Sequence, residues 1–201
     1  MTYSPNQKNT RVRWIVAALL AAAAVSYAVP IARSAMGMGD GGAVLQFAAV
    51  LFIIAAVFVT IRYVMTHFTY IIRPRSDIPE DGAIAEFADG IDVTSLDPAL
   101  LDFVVIKAQG SRPGAMECVL PLDELIDTVM LDDKNTKQSV CDAWRKKAGT
   151  AEFVFYDYTI TPGDASLSDK LALLFLDGKK YVCLFIEPDD RMKSYFRLLK
   201  P

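Results

Sequence analysis

Few side chains in this sequence could take part in catalysis. His67 is the only histidine among 201 residues. No G-x-S-x-G, H-E-x-x-H, C-x-x-C or phosphate-binding glycine motif accompanies it. The acid pairs Asp132–Asp133 and Asp189–Asp190 are explained locally, as a turn and as the start of a helix. We therefore expect that the chain is not an enzyme and that it holds no cofactor and no metal ion.

The residues that could bind a partner form one cationic run, Arg145, Lys146 and Lys147. Apolar residues four apart predict a short amphipathic helix over about residues 136–147, and the run ends this helix. Cations at a helix C-terminus are favoured by the helix dipole, which is consistent with a solvated helix end. The alternative is contact with a lipid headgroup or a protein, and these three residues are the candidates for it.

The three cysteines, Cys118, Cys141 and Cys183, are widely spaced, and each lies in or next to an apolar run. This pattern favours buried, reduced thiols in a reducing compartment. A disulfide or a reactive thiol is the alternative.

Two uncharged segments, 14–32 and 43–61, are each 19 residues long. That length is about what an α-helix needs to cross a hydrocarbon core of roughly 30 Å. We predict transmembrane helices over 14–32 and 43–65, joined by a short external loop over 33–42. A cleaved signal peptide is the alternative for the first segment, with residues 26–28 as the cleavage site.

Basic residues are concentrated before the first predicted helix and after the second, and few lie in the loop between them. The loop between the helices carries one Arg and one Asp, and the outer flanks carry Lys8, Arg11, Arg13, Arg62, Arg73 and Arg75. The positive-inside rule then places both chain termini in the cytoplasm, with the N-terminal tail 1–13 on that side of the cell membrane. No ionisable residue lies within either segment, which disfavours an ion pathway through this pair of helices.

The rest of the chain, 66–201, has the composition of a separate acidic domain. It contains 16 Lys and Arg and 23 Asp and Glu, a net charge of −7. Eight of the acids fall in residues 76–102, which hold no base and are predicted to form a solvated loop. This charge disfavours nucleic acid and anionic headgroups as partners.

Alternating apolar residues predict about seven antiparallel strands in the domain. Asp177–Gly178 is the signal for a tight hairpin turn, because glycine adopts positive φ without steric cost. An amphipathic helix is predicted over about 189–199. Its apolar face must cover the sheet, so we expect an α+β, mostly-β domain: a barrel-like sheet capped by a C-terminal helix. The side chains expected to fill its interior are Phe153, Phe155, Leu173 and Phe175.

Three stretches carry a resemblance to a known family: VLPLDELIDTVML (119–131), KLALLFLDGKKYVCLFIEP (170–188) and YFRLL (195–199). They resemble the bacterial pleckstrin-homology-like (PH-like) domains that follow one or two N-terminal membrane helices. The resemblance implies a PH-like fold for 66–201. In lipid-binding members the loop after the first strand is basic, whereas here it is acidic, so the resemblance does not extend to phosphoinositide binding.

These features predict an interaction or scaffold module fixed to the bilayer, a subunit or adaptor of a membrane assembly, with a protein partner in or near the membrane. The alternative is a sensor that holds a lipid or another small apolar molecule in the PH-like barrel.

Overall fold

The computed structural model describes residues 1–5, 10–37, 42–75, 96–110, 114–161 and 169–199. The chain divides into two compact units. One, the helical hairpin, comprises Gln7–Thr66, and the other, the β unit, comprises Met1–Asn6 together with His67–Pro201.

The helical hairpin consists of α1 (Thr10–Ala35) and α2 (Gly42–Thr60), which a π-helical turn extends over Ile61–Met65. A Cβ added to Gly42 would lie 3.0 Å from the Cβ of Pro30, so the start of α2 packs beside the end of α1. The helices are therefore antiparallel. Both are long and apolar enough to cross a membrane, judged by length and composition.

Small side chains form the contact between α1 and α2. Ala23, Ala49 and Ala56 are buried, whereas most larger apolar side chains of both helices are exposed. Small residues allow helix backbones to approach closely, and exposed apolar side chains are stable in lipid. A groove of about 520 Å³ runs between the helices, lined by Leu20, Ala23, Ala24, Tyr27, Gln46, Ala49, Val50 and Ile53.

The first sheet of the β unit contains β1 (Thr2–Tyr3), β2 (Thr66–Pro74), β3 (Leu101–Gln109) and β4 (Ala115–Pro121), in that order. His67 lies in β2, half-buried. The strand β1 lies within the segment that the sequence predicted to be a tail, and it pairs antiparallel with β2. The Met1 ammonium donates to the Ile72 carbonyl and the Ile72 amide donates to the Met1 carbonyl, each at 2.8 Å.

We expect β1 to stabilise the β unit. A chain in which a flexible Gly/Ser linker replaces residues 7–66 should be soluble and folded. Removing residues 1–5 from that chain should lower the free energy of unfolding by roughly 2 kcal/mol. The shortened chain loses the backbone hydrogen bonds between β1 and β2 and the partly buried side chains of Met1 and Tyr3. Urea unfolding of the two chains measures the difference. Equal midpoints would show that β1 contributes nothing to stability.

The second sheet contains β5 (Leu125–Met130), β6 (Glu152–Asp157), β7 (Leu171–Asp177) and β8 (Lys180–Ile186), in the order β5-β7-β8-β6. The hairpin β7–β8 turns at Gly178, which has a φ of 63°. The edge strand β6 runs parallel to β8, with Val154 opposite Val182 and Tyr156 opposite Leu184.

The predicted single antiparallel barrel of about seven strands is therefore wrong. The described residues form eight strands in two sheets that do not close. The prediction paired strands that follow each other in sequence, but β7 already pairs with β5 and β8. The free side of β8 is the position that β6 occupies, and there β6 runs parallel to β8.

The main core lies between the two sheets and is rich in aromatic rings. The ring centroid of Phe103 lies 6.5 Å from that of Tyr70, 6.3 Å from Phe175 and 5.6 Å from Phe196. Phe196 belongs to α4 (Asp190–Leu198), which begins where the Asp189 carboxylate accepts a hydrogen bond from the Met192 amide at 2.8 Å. The predicted C-terminal helix is thus present, and it buries the apolar face of Met192, Tyr195 and Phe196.

The predicted acidic loop lies mostly outside the described residues, which resume at residue 96. Its last two residues differ from the prediction, since Leu101 and Asp102 belong to β3. Asp102 is buried and accepts a hydrogen bond from the Arg75 guanidinium at 3.0 Å. The ion pair with Arg75 compensates for the burial of this carboxylate.

Candidate interaction surface

The helix α3 (Lys137–Ala148) is fixed on the outer face of the second sheet. It starts at Thr136, whose hydroxyl accepts a hydrogen bond from the Ser139 amide at 3.2 Å. Trp144 is buried, and its indole N–H donates to the Asp127 carboxylate at 3.2 Å. The helix packs with Val140, Cys141 and Trp144 against Ala172, Leu174, Cys183 and Phe185. This anchoring gives the opposite face of α3 a defined position.

The three candidate residues, Arg145, Lys146 and Lys147, lie in the last turn of α3, and all are exposed. None of them forms a salt bridge with the residues that the structure describes. The Arg145 guanidinium lies 5.6 Å from the centroid of the Phe153 ring, which places the cations beside the first residues of β6. The helix therefore presents a cationic end next to a sheet edge.

The edge strand β6 exposes aromatic side chains on both faces of the sheet. Phe155 is 55% exposed on the outer face, and Tyr156 is 43% exposed on the inner face. The sequence predicted that Phe153 and Phe155 fill the interior. Instead both lie on the outer face, where Phe153 packs beside α3 and Phe155 stays exposed, whereas Leu173 and Phe175 are in the core. We name Arg145, Lys146, Lys147, Phe153, Phe155 and Tyr156 the α3–β6 surface.

An ion pair fixes the end of β6 to the start of α3. The Lys137 ammonium lies 2.8 Å from the Asp157 carboxylate, which also accepts a 2.6 Å hydrogen bond from the Thr159 hydroxyl. Partial burial raises the pKa of Asp157, but the hydrogen bonds from Lys137 and Thr159 outweigh it and hold the pKa below its usual range. The pair holds the far end of β6 in place, with the carboxylate ionised.

A second candidate is a polar cavity of about 400 Å³ at the start of α4. Its acidic side chains are Asp169, Glu187, Asp189 and Asp190. Asp189 caps α4, Glu187 accepts hydrogen bonds from two backbone amides, and Asp169 and Asp190 lie within 3.6 Å of the Lys193 ammonium. In the described part of the chain, no group of three His, Cys, Asp or Glu could hold a metal ion. The acidic side chains of this cavity therefore serve as structural contacts, and they are not available as ligands for a bound ion.

The cysteines are free thiols: Cys141 is buried on the inner face of α3, Cys183 is buried in β8 beneath that helix, and Cys118 is half-buried in β4. Burial raises the pKa of all three. For Cys118, burial and then the Asp177 charge raise the pKa to about 11, which opposes thiolate formation at neutral pH.

We expect these thiols to react slowly while the protein is folded. At pH 8, the ionised fraction of a thiol with a pKa of about 11 is smaller than that of an ordinary thiol by a factor of more than about 100. Iodoacetamide should therefore modify Cys118 far more slowly in the folded chain than in guanidinium chloride, as peptide mass spectrometry would measure. Rapid labelling of the folded chain at pH 8 would instead identify a reactive thiol.

The sequence identified the cationic end of α3 but not the strand edge beside it. The edge position of β6 has no local signal, because it depends on which strands β7 and β8 pair with.

Comparisons with protein-family models, with curated proteins and with solved structures found no match to this chain.

Proposed function

We propose that this chain is a membrane-anchored interaction module, a subunit or adaptor of a membrane assembly, which binds a protein through the α3–β6 surface. The observation that carries the proposal is the edge of β6, where Phe155 and Tyr156 are exposed beside three cations. An edge strand offers backbone donors and acceptors to another chain, and exposed aromatic and Arg side chains are typical contact residues.

The helical hairpin would be the anchor, with both its ends in the cytoplasm. Support comes from β1, because a strand before α1 pairs with β2 after α2, so both ends of the hairpin lead into one folded unit. A spanning hairpin would then have its two ends on one side, and the positive-inside rule favours the cytoplasm. Signal-peptide cleavage after residue 28 would remove β1, which favours an uncleaved helix.

The β unit would be a variant of the PH-like fold. Two sheets that enclose an aromatic core, with a C-terminal helix packed on that core, support this assignment. The parallel strand β6 and the helix α3 would be insertions into that fold, and they supply the proposed binding surface.

The alternative, a sensor with an apolar ligand between the sheets, has less support. That space is filled by Tyr70, Phe103, Phe175 and Phe196, all of which are fully buried. A ligand there would have to displace aromatic rings from a close-packed core.

Site-specific photocrosslinking in intact membranes tests the proposal. A photoreactive phenylalanine analogue at position 155 should form adducts with a polypeptide. The same analogue at Val119, 40% exposed on the outer face of β4, is the matched control and should form few. Equal yields at both positions, or none at either, would contradict binding at the α3–β6 surface.

We also expect no phosphoinositide preference. Residues 76–102 contain eight acids and no base, and a phosphate site needs positive charge. The full chain in nanodiscs should bind a fluorescent inositol phosphate weakly, as measured by anisotropy. Unlabelled inositol phosphates should displace that probe no better than inorganic phosphate does. Headgroup-selective binding that is lost in a variant with Arg145, Lys146 and Lys147 all changed to glutamate would overturn this expectation.

A further inference from the structure

Resting on the proposed function, we infer that the partner binds the α3–β6 surface through an acidic polypeptide segment. Carboxylates of that segment would contact Arg145, Lys146 and Lys147, and an apolar side chain of the same segment would contact Phe155. The inference follows from the salt bridges of the β unit, the charge at each end of β6 and the distance between the cations and the exposed ring.

The last turn of α3 holds three exposed cations that form no salt bridge with the described residues. Bases elsewhere in the β unit do form salt bridges with its acids: Arg75, Lys107, Lys137, Lys170, Lys180 and Lys193. The C-terminus of a helix supplies only about half a negative charge, which does not balance three adjacent cations. These cations are therefore available to the carboxylates of a partner.

The start of β6 lies between the last turn of α3 and the β7–β8 turn. The Arg145 guanidinium lies 5.6 Å from the centroid of the Phe153 ring, and Glu152 lies opposite Lys180 of β8. The segments that meet here are 142–152 and 177–180. Together they carry five bases and three acids. This end of the strand is therefore net positive, although residues 66–201 as a whole have a net charge of −7.

The opposite end of β6 has the opposite balance of charge. Lys137 of α3 lies 2.8 Å from Asp157 there, and residues 132–137 together with Asp157 hold two bases and three acids. The two ends are about 17 Å apart along the strand, which is beyond the screening length of about 8 Å at physiological salt. A partner therefore encounters the two ends as separate charges.

The exposed ring beside the cations favours a short polypeptide segment over an anionic bilayer. Phe155 lies about 7 Å along the strand from Phe153 and is 55% exposed on the same face, so the Arg145 guanidinium and the exposed ring are within about 12 Å. About four residues of an extended chain span that distance. Such a segment can cover the cationic end alone, whereas a flat anionic surface would also meet the acids at the other end.

Peptide mapping of the photocrosslinked adducts tests the inference. The photoreactive phenylalanine analogue at position 155 of the full chain is activated in intact membranes, and mass spectrometry identifies the adducted peptide. We expect a segment in which Asp and Glu outnumber Lys and Arg by at least about two within about five residues of the adduct. A neutral or basic segment would overturn the inference and leave protein binding at the α3–β6 surface standing. Adducts with lipid alone, or no adducts, would overturn both.

Two charge-reversal variants with the same net charge separate a local contact from the overall charge. The test variant combines Arg145→Glu, Lys146→Glu and Lys147→Glu. The matched control combines Lys134→Glu, Arg191→Glu and Arg197→Glu, at exposed positions that also form no salt bridge with the described residues. The adduct yield at position 155 should fall at least about tenfold in the test variant and less than about twofold in the control, because only the test variant makes the surface repel carboxylates. Equal yields in the two variants would overturn the inference.

A neutral variant keeps the test informative if charge reversal disturbs α3. Changing Arg145, Lys146 and Lys147 all to glutamine removes the charges without adding repulsion, and circular dichroism verifies the fold of each variant. The adduct yield of the glutamine variant should lie between those of wild type and the glutamate variant. In wild type, the yield should also fall when NaCl is raised from about 0.05 M to about 0.5 M in isolated membranes, because salt screens exposed charge pairs. A wild-type yield in the folded glutamine variant would show an apolar contact only and overturn the inference.

Discussion

Glu187→Ala is expected to lower the free energy of unfolding of the β unit by about 3–5 kcal/mol. Glu187 is almost fully buried, and its carboxylate accepts hydrogen bonds from the amides of Ile160 and Thr161, at 3.3 Å and 3.0 Å. It also lies 4.0 Å from the ammonium of the fully buried Lys170. Alanine would leave two amides without their acceptor and remove a carboxylate beside a buried cation. Urea unfolding of the full chain in detergent micelles, followed by near-ultraviolet circular dichroism, measures the loss.

Two related variants separate the causes of this loss. Glu187→Gln keeps one oxygen acceptor, so it should lose less stability than Glu187→Ala. Asp190→Ala removes a neighbouring carboxylate that is exposed to solvent and pairs only with Lys193 among the described residues, and it should leave the unfolding midpoint unchanged. If Glu187→Ala cost no more than Asp190→Ala, the buried carboxylate would not be a structural element of the β unit.

Phe103→Ala should lower the free energy of unfolding by about 3–5 kcal/mol, because it removes a large side chain from a core that cannot collapse around the cavity. Phe103 is fully buried in β3, and its ring contacts rings from β2, β7 and α4. The loss is a large fraction of the stability of a typical domain. The same urea experiment measures it.

Phe155→Ala is the matched control, since it deletes the same atoms from a side chain that is 55% exposed. Its effect on stability should stay within about 0.5 kcal/mol. Its effect should fall instead on the binding of a partner at the α3–β6 surface. A similar loss of stability in both variants would mean that Phe155 is part of the core and not of a binding surface.

The position of Phe155 shows where sequence patterns stop being informative. The alternation in EFVFYDYTI correctly predicts that Phe153 and Phe155 share one face and that Val154 and Tyr156 share the other. Alternation cannot say which face is covered, because that depends on where α3 and the other sheet pack. Phe153 lies beneath the last turn of α3 and is half-buried, whereas Phe155, two residues later, lies beyond that cover.

The strand β1 illustrates the same limit at longer range. Two residues, Thr2 and Tyr3, carry no periodicity that could predict a strand. They form one because the edge of β2, more than sixty residues later, offers unpaired backbone groups. Likewise, Lys170 and Glu187 stand apart in sequence, and only the adjacent β7 and β8 bring their charges together.

Local chemistry was enough to identify the two apolar helices, the β7–β8 turn at Gly178, the C-terminal helix and the cationic end of α3. Each of these depends on residues within a few turns of one another: an uncharged run, a glycine with positive φ, a helical repeat and a helix dipole. Only the tertiary structure decided that the strands form two open sheets and that β6 is an edge parallel to β8. All strands compete for the same backbone groups. The partner of one strand therefore depends on the other strands, and it cannot be predicted from that strand's own stretch of sequence.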